Sequence, residues 1–346
     1  MELRVVIILF GGVLAVVFGQ TQCGDQRKCI PFGDCPEYRS YVGKAYRTWP
    51  LAVRNEVKAI HCGSEQGRNG MIIKICCKAK PGRDLLDLEK CGQSSKQRIA
   101  HGKIAEVFEF PWMALLGDIN GEFHCGGSLI ANSFVLTAAH CNKQKVDFVR
   151  VGETDLSKPI DCNYAQGEVD CADPFQDIKV ARFIRHQKYS ASKRKNDIAL
   201  IKLEHPAKLN DNVQPICLPL PEMLPKKFPP KMMVSGWGFT EDRNEISNQL
   251  RFANVPIIGQ NQCQQSLRRL SDVYTVDESQ VCAGNDIGLA DNCEGDSGGP
   301  LQYFGNKGYV IHGVVSWGLA SCGKESAPGV YTKVSQYLNW IIDNLK

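Results

Sequence analysis

The sequence predicts an all-β protein with one C-terminal helix, preceded by a small cysteine-rich segment, and three observations carry that expectation. From Ile99 onward, short β-type runs such as FVLTAAHC, DFVRVGE, DIALIKL and KMMVSGWG are separated by Gly, Pro, Asn and Asp. Strands at that spacing, without alternating long helices, build a sandwich or a barrel. Val334, Tyr337, Leu338, Ile341, Ile342 and Leu345 recur at i, i+3/i+4 and i+7, so residues 334–346 read as an amphipathic helix docked on that body. Cys23, Cys29, Cys35, Cys62, Cys76 and Cys77 crowd a segment too small to fold on an apolar core alone, which points to three disulfide staples.

The elements follow in order. Arg4, an apolar run from Val5 to Val17 and small residues ending at Gly19 have the order of a secretory signal, so residues 1–19 are expected to be removed. That run is shorter than the ~20 residues that span a bilayer, and no later stretch is longer, so no membrane span is expected. Export places the rest in an oxidising compartment, where 16 cysteines read as disulfides before metal ligands. The cysteine-rich segment covers 20–77, and KAKPGRDLLDLEK, charged and broken by Pro-Gly, opens a linker over 78–98. Residues 99–346 form the large β domain. A net charge of +4 over 346 residues, with Lys and Arg scattered, argues against nucleic acid as a partner. The sequence contains no Asn-X-Ser/Thr sequon.

Three motifs carry chemistry: LTAAHC with His140, NDIALIKL with Asp197 and DNCEGDSGGP with Ser297. A serine hydroxyl is a poor nucleophile at neutral pH; it needs an imidazole to take its proton and a carboxylate to hold that imidazole in the right tautomer. Each residue alone has an ordinary reading, as a core histidine, a strand cap or a turn serine. Together, in the order His, Asp, Ser, they resemble the chymotrypsin-like serine proteases over nearly all of residues 99–346.

That resemblance implies two packed antiparallel β-barrels with the three residues in the cleft between them. His140 would act as base and then acid, Asp197 would orient it, and Ser297 would attack the scissile carbonyl. The N–H groups of Gly295 and Ser297 would form the oxyanion hole, and no cofactor is needed for catalysis. Asp291, six residues before the nucleophile, would lie at the floor of the primary pocket, with Ser316, Gly318 and Gly329 at its walls. A carboxylate so withdrawn from water calls for a cationic partner, which implies trypsin-like cleavage after Arg or Lys.

In such proteases a single cut releases an N-terminus that folds inward to the Asp preceding the nucleophile. In KQRIAHG the cut would fall between Arg98 and Ile99, and the receiving carboxylate would be Asp296, so the intact chain reads as a zymogen. The new N-terminus would read Ile-Ala-His-Gly where the family usually has Ile-Val-Gly-Gly. Arg98 requires an activator of trypsin-like taste, either an upstream protease or the enzyme itself.

The front segment, with Cys-x5-Cys-x5-Cys, Cys62 and the Cys76–Cys77 doublet, resembles the clip domain of arthropod haemolymph proteases. Six cysteines allow 15 connectivities; the family pairing would be Cys23 with Cys76, Cys29 with Cys62 and Cys35 with Cys77. In the remainder it implies Cys91 with Cys217, Cys125 with Cys141, Cys162 with Cys171, Cys263 with Cys282, and Cys293 with Cys322. The Cys91 bond would hold the two chains together after cleavage. A loop bearing Glu153, Asp155 and Asp161 could hold calcium, as the corresponding loop often does in related proteases; a solvated acidic turn is the plain alternative.

The expected function is therefore that of a secreted endopeptidase zymogen of haemolymph, acting in innate immunity, melanization or Toll-type signalling. The family analogy implies a protein substrate (a cascade zymogen, prophenoloxidase or a cytokine precursor), an upstream activating protease and serpin inhibitors. The alternative is a non-catalytic clip-protease homologue serving as a binding cofactor, although such homologues usually lose a member of the triad.

Overall fold

The computed structural model describes residues 23, 27–32, 35, 38, 41, 45–67, 70–78, 81–94, 103–165, 168–238, 247–284, 296–318 and 328–346. The chain divides into two compact units, Met1–Lys80 and Pro81–Lys346.

In the first unit, β1 (Arg27–Pro31), α1 (Leu51–Ala59), β2 (His61–Gly67) and β3 (Gly70–Lys78) build a three-stranded antiparallel sheet ordered β1-β3-β2 with one helix. Its apolar core is small: Tyr38, Trp49, Val57 and Ile75 around Cys35 and Cys77. Phe32 stacks on Trp49 at 4.8 Å between centroids. Three disulfides close it, Cys23–Cys76, Cys29–Cys62 and Cys35–Cys77, supplying the constraint that so little buried surface cannot.

In the second unit the strands are β4 (Lys103–Ile104), β5 (Met113–Gly117), β6 (Phe123–Ala131), β7 (Phe134–Thr137), β8 (Phe148–Val151), the hairpin β9 (Cys162–Ala165) and β10 (Glu168–Cys171), β11 (Gln176–Arg185) and β12 (Ala199–Leu203). They continue with β13 (Lys231–Gly236), β14 (Arg251–Ile258), β15 (Gln280–Ala283), β16 (Pro300–Phe304), β17 (Tyr309–Trp317) and β18 (Gly329–Lys333). Between β14 and β15 lies α2 (Gln260–Leu270), and α3 (Leu338–Asn344) ends the chain. The first barrel closes in the order β11-β12-β7-β6-β5-β8. The second runs β13-β16-β17-β18-β15-β14 and closes through the β13–β14 pairing, with β4 added outside β14. The sandwich-or-barrel ambiguity in the strand pattern thus resolves as two closed six-stranded antiparallel barrels.

Strands buried on both faces explain why the apolar runs are nearly continuous: β5, β7 and all but one residue of β12 are fully buried. A polar bridge joins the barrels, where the indole N–H of Trp112 donates to Gln302 Oε1 at 2.7 Å and Gln302 Nε2 donates to Ser235 Oγ at 3.3 Å. The C-terminal helix is shorter than the periodicity suggests, because Val334–Gln336 form a single 3-10 turn before α3. All six apolar positions that define the period are nevertheless buried.

Residues 81–94, read as linker, are instead packed onto the second unit. Pro81–Leu85 form a 3-10 turn whose Gly82 lies against Ile342 and Leu345, and Leu86 is buried. Gly92, at φ +66°, donates to the Pro215 carbonyl at 2.8 Å and accepts from Tyr309 N at 2.8 Å. A side chain at position 92 would collide with the Tyr309 backbone, so both the conformation and the fit require glycine there. Cys91–Cys217 fixes the strap covalently.

Candidate active site

His140 lies in the 3-10 turn Ala139–Lys143 directly after β7, with its side chain one-fifth exposed. Asp197 precedes β12, which pairs with β7, so strand register brings the two side chains together. Asp197 Oδ1 accepts from the His140 backbone N–H at 2.9 Å, and Oδ2 lies 2.7 Å from His140 Nδ1. Two bonds from one carboxylate fix the imidazole's position and leave Nε2 as the nitrogen that faces outward. The carboxylate is itself held: Ser316 Oγ donates to Oδ2 at 2.6 Å, and Thr332 Oγ1 donates to the Asp197 carbonyl at 2.7 Å. Asp197 is 5% exposed, so the donors to its carboxylate, His140 and Ser316, offset desolvation of its charge, while Thr332 holds its backbone.

Ser297 sits on a tight turn between Asp296 and β16. Gly298, at φ +82°, donates to Val315 O at 2.9 Å, and Gly299 donates to Asp296 O at 2.8 Å. A Cβ on Gly298 would strike Thr137 Oγ1 and the Gly126 carbonyl, so the turn can close against the first barrel only with glycine. Gly126 N donates to the Ser297 carbonyl at 2.8 Å, which joins the turn to β6. Gly295, Asp291, Cys293 and Cys322 lie outside the described residues, as do Arg98 and Ile99.

Asp296 seats its carboxylate over Gly236 and Gly238, where any Cβ would overlap it. Gly238 N donates to its Oδ1 at 2.8 Å. Among the expected pocket residues, Gly318 has no described atom within 4 Å of where a Cβ would stand and Gly329 begins β18, whereas Ser316 is buried and bonded to Asp197. Ser316 therefore supports the Asp197 carboxylate, a contact its sequence context did not reveal.

The structure bonds Cys125 to Cys141, Cys162 to Cys171 and Cys263 to Cys282 in this unit. The first of these ties β6 to the His140 turn.

The acidic loop is organised differently from the simple three-carboxylate expectation. Asp155 is turned to Lys158 (2.9 Å), Ser157 Oγ (2.6 Å) and Gln249 Nε2 (3.1 Å), and its carboxyl is held down at about 2 by these donors against the opposing effect of burial. Glu153 and Asp161 instead face each other; burial first, and Asp161 second, push Glu153 up to about 7. Asp161 Oδ2 accepts from Thr154 N and Asp155 N, its buried Oδ1 accepts from no N–H among the described residues, and the Glu153 carboxyl, when protonated, shares a hydrogen bond with Asp161. Glu153 and Asp161 are thus the two carboxylates of the loop placed to donate to a cation, while Asp155 is committed to Lys158 and Ser157. Arg150, which donates to both oxygens of Asp177 at 2.7 and 2.8 Å, lies 3.3 Å from Glu153 and 3.6 Å over the Phe175 ring. It supplies part of the positive charge that the loop needs.

The trypsin family profile matches residues 99–341 of this chain. The CLIP domain-containing serine protease HP8 of Bombyx mori is 35% identical, with all of this chain and 98% of that protein covered. Phenoloxidase-activating factor 3 of Holotrichia diomphalia is 34% identical with both chains fully covered. The solved structure of the Drosophila Grass clip serine protease of the Toll pathway superposes with a TM-score of 0.65 at 31% identity, over 93% of this chain and 95% of that one. Mouse neuropsin superposes with a TM-score of 0.57 at 37% identity, covering 72% of this chain and all of its own. With the His140, Asp197 and Ser297 motifs on two closed barrels behind a triply disulfide-bonded module, the chain belongs to the trypsin family, as a clip-domain serine endopeptidase.

Proposed function

We propose that this endopeptidase is exported as a zymogen, is switched on by cleavage between Arg98 and Ile99, and then cuts protein precursors after Arg or Lys in an extracellular cascade. The observation that carries the reading is the carboxylate of Asp197 held between His140 and Ser316, because an imidazole fixed at Nδ1 presents Nε2 as the base that a serine nucleophile requires. Ser297 attacks the carbonyl and its proton passes to His140 Nε2. The resulting imidazolium is stabilised by Asp197, and the proton is then given to the leaving amine. Water repeats the sequence to release the acyl group. The N–H groups of Gly295 and Ser297 receive the oxyanion, and Asp291 pairs with the cationic side chain of the substrate.

The switch follows from Asp296. Its carboxylate is seated over Gly236 and Gly238, one residue before Ser297. An ammonium from Ile99 arriving there would lock the turn that carries the nucleophile. The Cys91–Cys217 bond lies ahead of the cut, so the front module would stay tethered afterwards. Relatives named for phenoloxidase activation and for Spaetzle processing support a protein precursor of an immune cascade as the substrate class; an upstream protease would activate the enzyme and serpins would inhibit it. Glu153 and Asp161 would hold a structural calcium ion, whose charge would relieve their mutual repulsion.

The reading is tested by treating the zymogen with a trypsin-like activator, sequencing the new N-terminus, and comparing peptides cleaved after Arg and after Phe, with Ser297→Ala as control. Turnover of the Arg peptide that appears together with an Ile99 N-terminus supports it. Equal turnover of both peptides contradicts the pocket assignment. Non-reducing against reducing mass of the cut protein reads the tether.

A further inference from the structure

We propose that Arg194 is a specificity-determining cation, selecting an acidic side chain among the few substrate residues that precede the cleaved bond. The inference rests on the endopeptidase reading above and adds a second recognition point to it. Arg194 stands three residues before Asp197 with φ at +52°, a left-handed conformation that residues bearing a Cβ rarely adopt. Its turn is firmly held. Ser190 and Lys195 exchange backbone hydrogen bonds at 3.0 and 3.2 Å, and Gln280 Nε2 donates to the Arg194 carbonyl at 3.0 Å. Lys195 Nζ reaches Gln280 Oε1 at 2.5 Å, Thr275 O at 3.2 Å and Asp277 at 2.9 Å. Lys195 thus takes the nearby carboxylate, and Arg194 meets none among the described residues.

Instead the Arg194 guanidinium lies 4.5 Å from the Tyr274 ring and 4.7 Å from the Trp317 ring. Stacking on rings engages the faces of the guanidinium and leaves its N–H edge available for a planar bidentate acceptor. Both residues are half-buried, which weakens screening without closing the site.

Trp317 connects this cation to the substrate. It lies between Ser316, bonded to Asp197, and Gly318, the expected pocket wall. Strand β16 pairs with β17 as far as Val314, and Val315 exchanges backbone hydrogen bonds with Gly298 and Gly299 at 2.9 Å. Beyond Val315 no described strand pairs with β17 on that side; β18 takes the other edge at Trp317 and Val330. A peptide whose carbonyl rests on Ser297 can extend β17 along that edge. The leaving amine faces His140 on the first barrel, so the residues that run along β17 are those preceding the bond. On that path their outward side chains would pass Trp317, against whose ring Arg194 lies.

The test uses the activated full chain and chromogenic peptides that all end in Arg, with Ala, Glu or Lys at each of the three preceding positions. Glu at one or more of them is expected to raise kcat/KM about tenfold over Ala, the scale of one charge-assisted hydrogen bond, and Lys to lower it. The Glu/Ala ratio should shrink with added salt. In Arg194→Gln the ratio should fall to about one, and in Arg194→Glu the preference should reverse toward Lys, which a purely structural role for Arg194 would not produce. A ratio near one in the wild type, or an unchanged ratio in Arg194→Gln, overturns the inference while leaving the endopeptidase reading intact. Absence of turnover on every Arg-terminated peptide overturns both.

Discussion

Ser316 Oγ donates to Asp197 Oδ2 at 2.6 Å, the same carboxylate oxygen that lies 2.7 Å from His140 Nδ1. The catalytic carboxylate therefore shares one oxygen between its histidine and a serine from the opposite barrel. Removing the serine leaves a buried charge with one donor fewer, at a cost of about 1–3 kcal/mol. We expect Ser316→Ala to lower kcat at least about tenfold, with KM on an Arg peptide changed far less. Steady-state kinetics on titrated enzyme measure this. An unchanged kcat would mean that His140 is oriented without Ser316.

Trp112 and Gln302 join the barrels through one buried hydrogen bond of 2.7 Å. Trp112→Phe keeps a ring in place but withdraws the donor, leaving Gln302 Oε1 unsatisfied in a site without exposure. The expected loss is about 1–3 kcal/mol, a drop of several degrees in melting temperature for a domain of this size. Calorimetry on the zymogen reads it, and an unaltered melting temperature would mean that a water replaces the indole.

Calcium is expected to raise the melting temperature of the zymogen at millimolar concentration, with the shift abolished in Asp161→Asn and reversed by a chelator. Asp155→Asn should keep the shift, because that side chain is committed to Lys158 and Ser157. Equal shifts in the wild type and Asp161→Asn would remove the calcium assignment.

His312 provides a pH prediction. Burial, assisted by the charge of Lys333, pushes its imidazole down to about 4, and its ring packs 5.8 Å from Tyr303 and 5.5 Å from Phe228. A histidine whose folded pKa lies below its unfolded value of about 6.5 contributes stability that is fully present above the unfolded pKa. That contribution is lost as pH falls through the folded pKa. At about 1.4 kcal/mol per unit, the contribution is on the order of 3 kcal/mol. Relative to His312→Gln, the wild type should lose more melting temperature between pH 7 and pH 4.5. Parallel profiles would contradict the assignment.

Much of this was legible in the residues, and what was not has a physical reason. His140, Asp197 and Ser297 each stand in a local motif whose shape is set by neighbours in sequence, so type and spacing were enough to single them out. The helix at 334–346 showed its buried face correctly but not its first turn, because periodicity counts positions and does not distinguish a 3-10 turn from an α-turn. The sequence places Ser316 only at the pocket wall, and its bond to a carboxylate 119 positions away exists only once both barrels close. Residues 81–94 look like a polar linker because their contacts are made largely by polar and glycine positions, Gly82 on Ile342, Arg83 on Glu222 and Gly92 on Tyr309, which carry no apolar period. In the acidic loop composition suggested three equivalent carboxylates, and the fold separated them by giving Asp155 its own lysine. Arg194 escaped notice because a single arginine in a basic turn, SKRKND, carries no pattern until two aromatic rings are placed beneath it.

The function proposed above requires that cleavage after Arg98 assembles the site around Ser297. The most direct measurement of that step is the rate at which a fluorophosphonate modifies Ser297, read by mass spectrometry of the active-site peptide before and after the cut. The account predicts slow or undetectable modification of the intact chain and rapid modification of Ser297 once Ile99 is the N-terminus, both abolished in Ser297→Ala. Equal rates before and after cleavage, or no labelling of the cut protein, would contradict it.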